Sequence, residues 1–303
     1  MPIYSVHHVT TYRYRQPVAF GEHRMMFLPR EGHDQHLLSS TLTINPEPSS
    51  LRFSDDALGN RVGVARFSSR ATALVFESRI RVEHSRSHPF GLNVEDRARS
   101  LPVAFEPDEL SDLRPFLKRR YADPGGALQD WAQGFLGAGK PTLTLELLTA
   151  MIHAIRRGLA YERRVETGIQ DPAETLSRGS GTCRDFTELM IEALRALGLP
   201  ARFVSGYLHV PARDRHDVHG GGATHAWLQA YLPGAGWIDI DPTNAILGNE
   251  GLIRIAIARE PSEALPLSGS YRGFASDDLG MEVTVKVVRE GAAEAELAAG
   301  LRA

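Results

Sequence analysis

The sequence contains a single cysteine, Cys183, among 303 residues. One thiol excludes an intramolecular disulfide and a zinc site built from several thiolates. Acidic and basic residues nearly balance, at a formal net charge of -3, and no basic run stands out, so we expect no nucleic-acid partner. No apolar stretch is long enough to span a membrane, and no basic segment followed by an apolar one begins the chain. We therefore expect a soluble, cytoplasmic protein without membrane contact.

The first ninety residues contain short strand patterns separated by turn residues. Mostly period-two alternation predicts strands at residues 6–14, 41–44, 62–67 and 74–82, and Gly59-Asn60 marks a turn. These patterns predict an all-β domain over residues 1–90. Four polar or aromatic residues of its first strand could form a binding surface, although strand pairing is the more usual role of such residues on a sheet. The four are His7, His8, Tyr12 and Tyr14.

A second domain is predicted over residues 91–290. A polar, proline-containing segment at residues 85–107 separates it from the strands. Apolar residues at helical spacing then predict helices at residues 108–121, 128–136 and 142–157. Residues 291–303 are compositionally simple, and we expect them to form a loose tail.

The strongest helix pattern begins directly before the cysteine. Thr182 and Asp185 have the spacing of a capping box, which places Cys183 in the first turn, and Gly198 ends the apolar pattern. Unpaired backbone N–H groups and the helix dipole favour a thiolate at that position. Lone cysteines are nevertheless most often inert core residues, so this helix alone does not establish a nucleophile.

A polar loop follows at residues 209–223, and it contains several groups that can bind a metal. They are His209, His216, Asp217 and His219. The segment is rich in glycine and shows no regular ligand spacing, so we predict that the protein binds no metal there and uses no cofactor.

The segment 224–244 predicts a hairpin with polar side chains on one face. A five-residue loop from Leu232 to Gly236 has the odd length that puts His225 and Asp241 on the same face, diagonal to each other. Asp239 shares that face, but Asp241 lies at the end of the strand, where active sites commonly occur. The alternatives are a satisfied histidine on a half-buried strand and a turn aspartate before Pro242.

Taken together, Cys183, His225 and Asp241 predict a catalytic triad. The set combines a thiol at a helix N-terminus, an imidazole to deprotonate it and a carboxylate to fix the imidazole tautomer, as acyl transfer requires. The Cys183 backbone N–H is a natural oxyanion donor. Tyr161 is a weaker candidate for a second donor, and a structural role suits it better.

These residues resemble the bacterial transglutaminase-like proteins of the papain-like cysteine protease superfamily. The motifs that carry the resemblance are GTCRDF at 181–186, LRALGLPARFVSGYL at 194–208, HAW at 225–227 and GWIDIDPTN at 236–244. HHVTTYRYRQPV near the start is similar to the β-domain that often precedes that core. The resemblance implies an α+β fold with the cysteine helix packed on an antiparallel sheet. Alternation at Ile253, Ile255 and Ile257, and again at Val283, Val285 and Val287, predicts two strands that can extend that sheet. It also assigns the triad positions to Cys183, His225 and Asp241. Arg184 departs from the glutamine that relatives often carry there.

The expected activity is thiol-dependent acyl transfer at amide bonds of a peptide or protein substrate. We favour hydrolysis, as by a cysteine peptidase or amidase, because water is the default acyl acceptor. Transfer to an amine, as by a transglutaminase, is the first alternative, and a non-catalytic binding module on the same fold is the second.

Overall fold

Two large antiparallel sheets and five helices form the part of the chain that the computed structural model describes, residues 1–85, 91–162, 168–210 and 223–291. The helices are α1 (Pro107–Leu117), α2 (Ala127–Gln133), α3 (Thr144–Gly158), α4 (Pro172–Arg178) and α5 (Cys183–Ala196). The strands are β1 (Ile3–Met25), β2 (Gln35–Asn45), β3 (Ser50–Asp55), β4 (Arg61–Arg66), β5 (Arg70–His84), β6 (Ser100–Leu101), β7 (Thr142–Leu143), β8 (Ala160–Tyr161), β9 (Ser180–Gly181), β10 (Ala201–Leu208), β11 (His225–Leu232), β12 (Gly236–Asp241), β13 (Ile246–Leu247), β14 (Leu252–Ala258), β15 (Leu267–Arg272) and β16 (Asp278–Arg289). The predicted α+β class is confirmed. Across these described ranges, none of the helices is both long and apolar enough to cross a membrane.

The first sheet is organised around its long strand β1. Its order is β2-β5-β1-β4-β3, and β15 and β16 also pair with β1. Alternate residues of β1 point inward, beginning with Tyr4, Val6 and His8, as period-two burial requires. The all-β prediction for this region is confirmed, and its four predicted strands correspond to β1, β2, β4 and β5. Strand β3 was not predicted, because its residues are mostly exposed and show no apolar alternation.

One strand assignment from the sequence is wrong. The alternation at Val283, Val285 and Val287 suggested a strand that extends the sheet of the second domain, but β16 pairs with β1, where Val6 lies opposite Val287. The alternation fixes which side chains point inward and does not specify which sheet receives them. The first sheet therefore includes strands from residues 267–289, whereas the division at residues 90 and 290 into separate domains stays a prediction. The expected tail, apart from Gly291, lies outside the described residues.

The second sheet positions α5. Its order is β13-β12-β11-β10-β14, and α5 packs against β10 and β11 on one side and against α2 and α4 on others. The predicted strand at Ile253 to Ile257 is confirmed here as β14, paired with β10. Helix α5 is enclosed so completely that four of its charged residues are buried, namely Asp185, Glu188, Glu192 and Arg195. The helix that carries Cys183 is thus the centre of this half of the molecule.

The two sheets are joined by a buried ion pair and a shared core. Arg254 on β14 donates from Nη1 to Asp34 Oδ2 at 2.8 Å and to Asp239 Oδ2 at 3.0 Å. Gln35 Nε2 donates to the Arg254 carbonyl at 2.8 Å. Val6 of the first sheet belongs to the same apolar cluster as the residues of α5. The sheets therefore share one continuous interior.

Glu188 is the exception among the buried charges of α5. Neither of its carboxyl oxygens makes a hydrogen bond within the described part of the chain, and the nearest cation, Arg120, lies 4.0 Å away. Burial raises the pKa of Glu188 to about 7, although the charge of Arg195 opposes this shift. Since the folded state holds this proton more tightly than the unfolded chain does, stability is lost as the pH rises from about 4.5 through 7.

We expect Glu188→Gln to increase the free energy of unfolding at pH 8.5 by about 1–3 kcal/mol, and by clearly less at pH 5, where the carboxyl is still protonated in the folded state. Urea unfolding at the two pH values measures the difference. Glu192→Gln is the matched control, because Glu192 accepts hydrogen bonds from the Arg120 backbone at 3.0 Å and from Arg195 at 2.9 Å, and it should lose stability at both pH values. A gain from Glu188→Gln that is equal at both pH values would contradict the assignment.

Candidate active site

The first turn of α5 is fixed by its cap. Thr182 Oγ1 accepts from the Asp185 backbone N–H at 3.4 Å, and Asp185 Oδ2 accepts from the Thr182 N–H at 2.7 Å. The other carboxyl oxygen of Asp185 accepts from the backbone of Gln170 at 2.8 Å. The predicted capping box is confirmed, and Cys183 is the first residue of the helix. A buried carboxylate thus holds the turn in which the thiol lies.

The hairpin of β11 and β12 brings His225 and Asp241 together. Its pairs run from Leu232 opposite Gly236 to Leu228 opposite Ile240, which is the register predicted from the odd loop. His225 Nε2 lies 2.8 Å from Asp241 Oδ2, and both side chains are fully buried. This contact is the diagonal one that the sequence predicts.

Further hydrogen bonds orient the Asp241 carboxylate. Its Oδ1 accepts from the backbone N–H groups of Thr243 at 2.9 Å and Asn244 at 3.3 Å. Asn244 Nδ2 donates to Oδ2 at 2.8 Å. No function for Asn244 could be predicted from the sequence, although the DPTN turn that contains it is the kind of segment in which side chains bond to nearby backbone. These contacts hold Oδ2 toward His225.

Nδ1, the second ring nitrogen of His225, is the one available to the Cys183 thiol. Nδ1 is buried and forms no hydrogen bond of standard geometry in the described part of the chain, while Cys183 and His225 are close enough for each to shift the pKa of the other. Burial raises the pKa of the Cys183 thiol, but contact with His225 and its charge, then the charge of Arg184, lower that pKa below its usual value. Burial lowers the pKa of His225, and the charge of Asp241 and its hydrogen bond raise it well above the usual value. Both directions favour a thiolate beside an imidazolium.

Asp239, the competing carboxylate, has different partners. Its Oδ1 accepts from Trp227 Nε1 at 2.7 Å and from Gln229 Nε2 at 3.0 Å, and its Oδ2 pairs with Arg254. These contacts place Asp239 between the two sheets rather than beside His225. Asp241 is therefore the carboxylate that lies against the imidazole, as the strand-end argument predicts.

The remaining candidates have contacts outside the triad. Tyr161 lies in β8 opposite Gly181 of β9, and the centroids of its ring and of the Phe186 ring are 6.5 Å apart. His209 contacts the ring of Tyr4 at a tilted angle, and the other three groups of the polar loop, His216, Asp217 and His219, lie outside the described residues. In the ranges that the structure describes, no three His, Cys, Asp or Glu side chains are grouped as metal ligands would be.

A cavity of about 770 Å³ opens beside the three residues. Its walls include Arg184 and Thr224, which are the chain neighbours of Cys183 and His225. The first sheet supplies the opposite wall, where His8 and Tyr12 of β1 face the cavity. Of the four residues considered for a binding surface, these two line it, whereas Tyr14 is in the core of the first sheet and His7 pairs with Glu77. Cys183, His225 and Asp241 are not themselves among its described lining residues, so the cavity meets the site through Arg184 and Thr224.

Two protein-family models match the chain. Residues 4–83 match the model described as the bacterial transglutaminase-like N-terminal region. Residues 129–242 match the model described as the transglutaminase-like superfamily. The second match contains Cys183, His225 and Asp241, and the first covers strands β1 to β5 nearly completely.

Individual relatives match different shares of the chain. An uncharacterized protein of Mycobacterium tuberculosis is 29% identical over 304 residues, which cover 94% of this chain and 92% of that protein. An uncharacterized protein of Mycobacterium leprae is 39% identical over 127 residues, and there the match spans only 43% of the relative. A protein-glutamine gamma-glutamyltransferase of Pseudomonas aeruginosa is 42% identical over 67 residues, or 10% of its length. A solved structure from Cytophaga hutchinsonii, named as a candidate cysteine protease, superimposes with a TM-score of 0.72 at 21% identity over 95% of this chain and 91% of that one.

Proposed function

Since the chain belongs to the transglutaminase-like superfamily, with a bacterial transglutaminase-like N-terminal region ahead of the core, we propose that it catalyses thiol-dependent acyl transfer at amide bonds. Cys183 is the nucleophile, His225 the general base and acid, and Asp241 the residue that orients the imidazole. The acyl group comes from a peptide or protein amide.

One observation carries this proposal. The imidazole of His225 is held by Asp241 through Nε2 at 2.8 Å, which leaves Nδ1 toward a thiol whose pKa is lowered by that imidazole and by the charge of Arg184. A merely structural cysteine needs neither an oriented histidine nor a lowered pKa. The same contacts argue against a non-catalytic binding module, for which a buried imidazole–carboxylate pair beside a thiol has no use.

The steps follow from the geometry. The Cys183 thiolate attacks the amide carbonyl, and a C–S bond forms while the carbonyl electron pair moves to oxygen. The backbone N–H of Cys183, which as the first residue of α5 has no intrahelical acceptor, stabilises that oxyanion. The imidazolium of His225 then protonates the departing amine as the C–N bond breaks, and an acyl-enzyme remains. Asp241 stabilises the positive imidazole until it gives up its proton.

The acceptor of the acyl group separates two candidate activities. We favour water, which makes the protein a cysteine peptidase or amidase, because water needs no second binding site. Transfer to a primary amine is the alternative, and the match over 67 residues to a protein-glutamine gamma-glutamyltransferase favours it. In either case His225 takes a proton from the acceptor as it attacks the thioester.

The test is to incubate the purified protein with glutamine-containing peptides, with and without a primary amine, and to identify the products by mass spectrometry. Hydrolysis products should dominate in both cases. Predominant amine incorporation would establish the transferase instead. The Cys183→Ala variant should give neither product, and turnover by that variant would exclude a thiol mechanism altogether.

The pH dependence of Cys183 alkylation provides a second prediction. Because contact with His225 lowers the pKa of the thiol, the rate of reaction with iodoacetamide should rise to its plateau at a pH below the ordinary thiol pKa of about 8.5. In His225→Ala the burial of the thiol remains and most of the compensating charge is lost, so the rise should move upward by at least one pH unit. An unchanged profile in His225→Ala would remove His225 from the mechanism.

A further inference from the structure

The cavity beside Cys183 is positively charged. Arg120 and Arg184 are charged residues of its wall, and none of the described lining residues is an aspartate or glutamate. Burial lowers the pKa of His8 to about 4, and burial raises the pKa of Tyr121 to about 12, so both are neutral at pH 7. The described wall therefore offers a substrate two fixed cations and no fixed anion.

The two cations are not equivalent. Arg120 is paired with Glu260 at 2.7 Å and lies near the buried Glu188. Arg184 forms no ion pair or hydrogen bond with any residue that the structure describes. Arg184 directly follows Cys183 in the first turn of α5, and its charge lowers the pKa of the Cys183 thiol. Arg184 is thus a cation without a counterion at the place where a substrate must bind.

We propose that Arg184 binds a carboxylate of the substrate, so that the enzyme selects amides carrying an acidic group within a few bonds of the scissile carbonyl. This inference rests on the proposed function and specifies its substrate class. A guanidinium binds a carboxylate through two parallel hydrogen bonds, which fixes both position and orientation. Arg120 lines the same cavity but is paired with Glu260, so Arg184 is the cation that selects the carboxylate, and the cavity volume of about 770 Å³ admits an acidic side chain or a terminal carboxylate.

The alternative is that Arg184 only tunes the thiol. Tuning requires a positive charge near sulfur and is indifferent to the charge of the incoming molecule. Carboxylate binding requires the reaction to discriminate between an anionic molecule and a neutral one of the same size. The two roles are therefore distinguished by the ratio of the rates at which an anionic and a neutral reagent react with the thiol, and not by the rate of either reagent alone.

Iodoacetate and iodoacetamide form the matched pair of probes, since both alkylate the Cys183 thiolate with loss of iodide and they differ only in a carboxylate. We expect the ratio of the iodoacetate rate to the iodoacetamide rate at pH 7 and low salt to exceed the ratio for free cysteine by about tenfold or more, with saturation by iodoacetate. Arg184→Gln should lower that ratio at least tenfold, and Arg184→Lys by an intermediate amount. Arg178→Gln is the control, because Arg178 is exposed, pairs with Glu174 and does not line the cavity.

A ratio equal to that of free cysteine, or a ratio unchanged in Arg184→Gln, would overturn carboxylate binding while the reaction with iodoacetamide still supports the nucleophile. Failure of iodoacetamide itself to react would instead overturn the proposed function, and this inference with it.

The second measurement uses peptide amides in which glutamine is changed to glutamate at one position at a time beside the scissile bond. At one position glutamate should raise kcat/KM by about 10- to 100-fold in the parent enzyme, and that gain should disappear in Arg184→Gln. Preference for glutamine at every position would also overturn the inference.

Discussion

Replacing Asp241 by asparagine is expected to lower turnover by about 10²- to 10⁴-fold while leaving the fold intact. The carboxylate that contacts His225 Nε2 at 2.8 Å becomes an amide, which no longer stabilises a positive imidazole and which can favour the wrong tautomer. The remaining contacts of Oδ1 with the backbone of Thr243 and Asn244 can still be made by an amide oxygen. Steady-state kinetics on the peptide substrate, with circular dichroism to check the fold, measures the effect.

Asp239→Asn is the matched control on the same strand face, two residues away. Because Asp239 pairs with Arg254 and accepts from Trp227 and Gln229, its replacement should lower stability and leave the chemical step of the folded enzyme within about tenfold of the parent. The reverse ranking of turnover, with both variants folded, would reassign the orienting carboxylate to Asp239.

Asp34→Ala is expected to lower the free energy of unfolding by about 3 kcal/mol, the lower end of the cost of removing one partner from a buried ion pair, because Asp239 still faces Arg254. The exposed pair of Arg66 and Glu22 is the control, and Glu22→Ala should cost about 0.5 kcal/mol or less.

Tryptophan fluorescence shows whether the ion pair of Asp34 and Arg254 couples the unfolding of the two sheets. All three tryptophans, Trp131, Trp227 and Trp237, lie after the strands β1 to β5, whereas Asp34 precedes β2. If the two sheets unfold together, Asp34→Ala must lower the urea midpoint seen by fluorescence. A fluorescence midpoint unaffected by Asp34→Ala would mean that the second sheet unfolds independently of the first.

The geometry of His225 and Asp241 could be predicted from the sequence because it depends on local patterns. The alternation of Ile238 and Ile240 with polar residues fixed the inward face of β12, and an odd loop fixed which residues of the hairpin share it. The position of Cys183 followed from the spacing of Thr182 and Asp185. Each of these inferences uses residues that are close together in the chain.

Other features could not be predicted because they depend on distant or inconspicuous residues. Asp34 and Arg254 are 220 residues apart, and no local pattern links them. Glu188 looks like a solvent-facing residue of an amphipathic helix, and only the tertiary packing around α5 buries it. Helix α4 has only seven residues, although Asp171 at its N-cap and Pro172 at its first position were signals that could have identified it.

The pairing of β1 with β16 affects how the nascent chain folds during its synthesis. Val6 and Val287 are opposite each other, so one edge of β1 has no partner until the ribosome has added about 280 further residues. At typical elongation rates of 5–20 residues per second, this takes roughly 15–55 s. During that time β5 can already pair with the other edge, and the nascent sheet presents unpaired backbone groups to neighbouring chains. Synthesis rate and early protection of β1 should therefore influence the yield of soluble protein more strongly than the stability of the finished fold suggests.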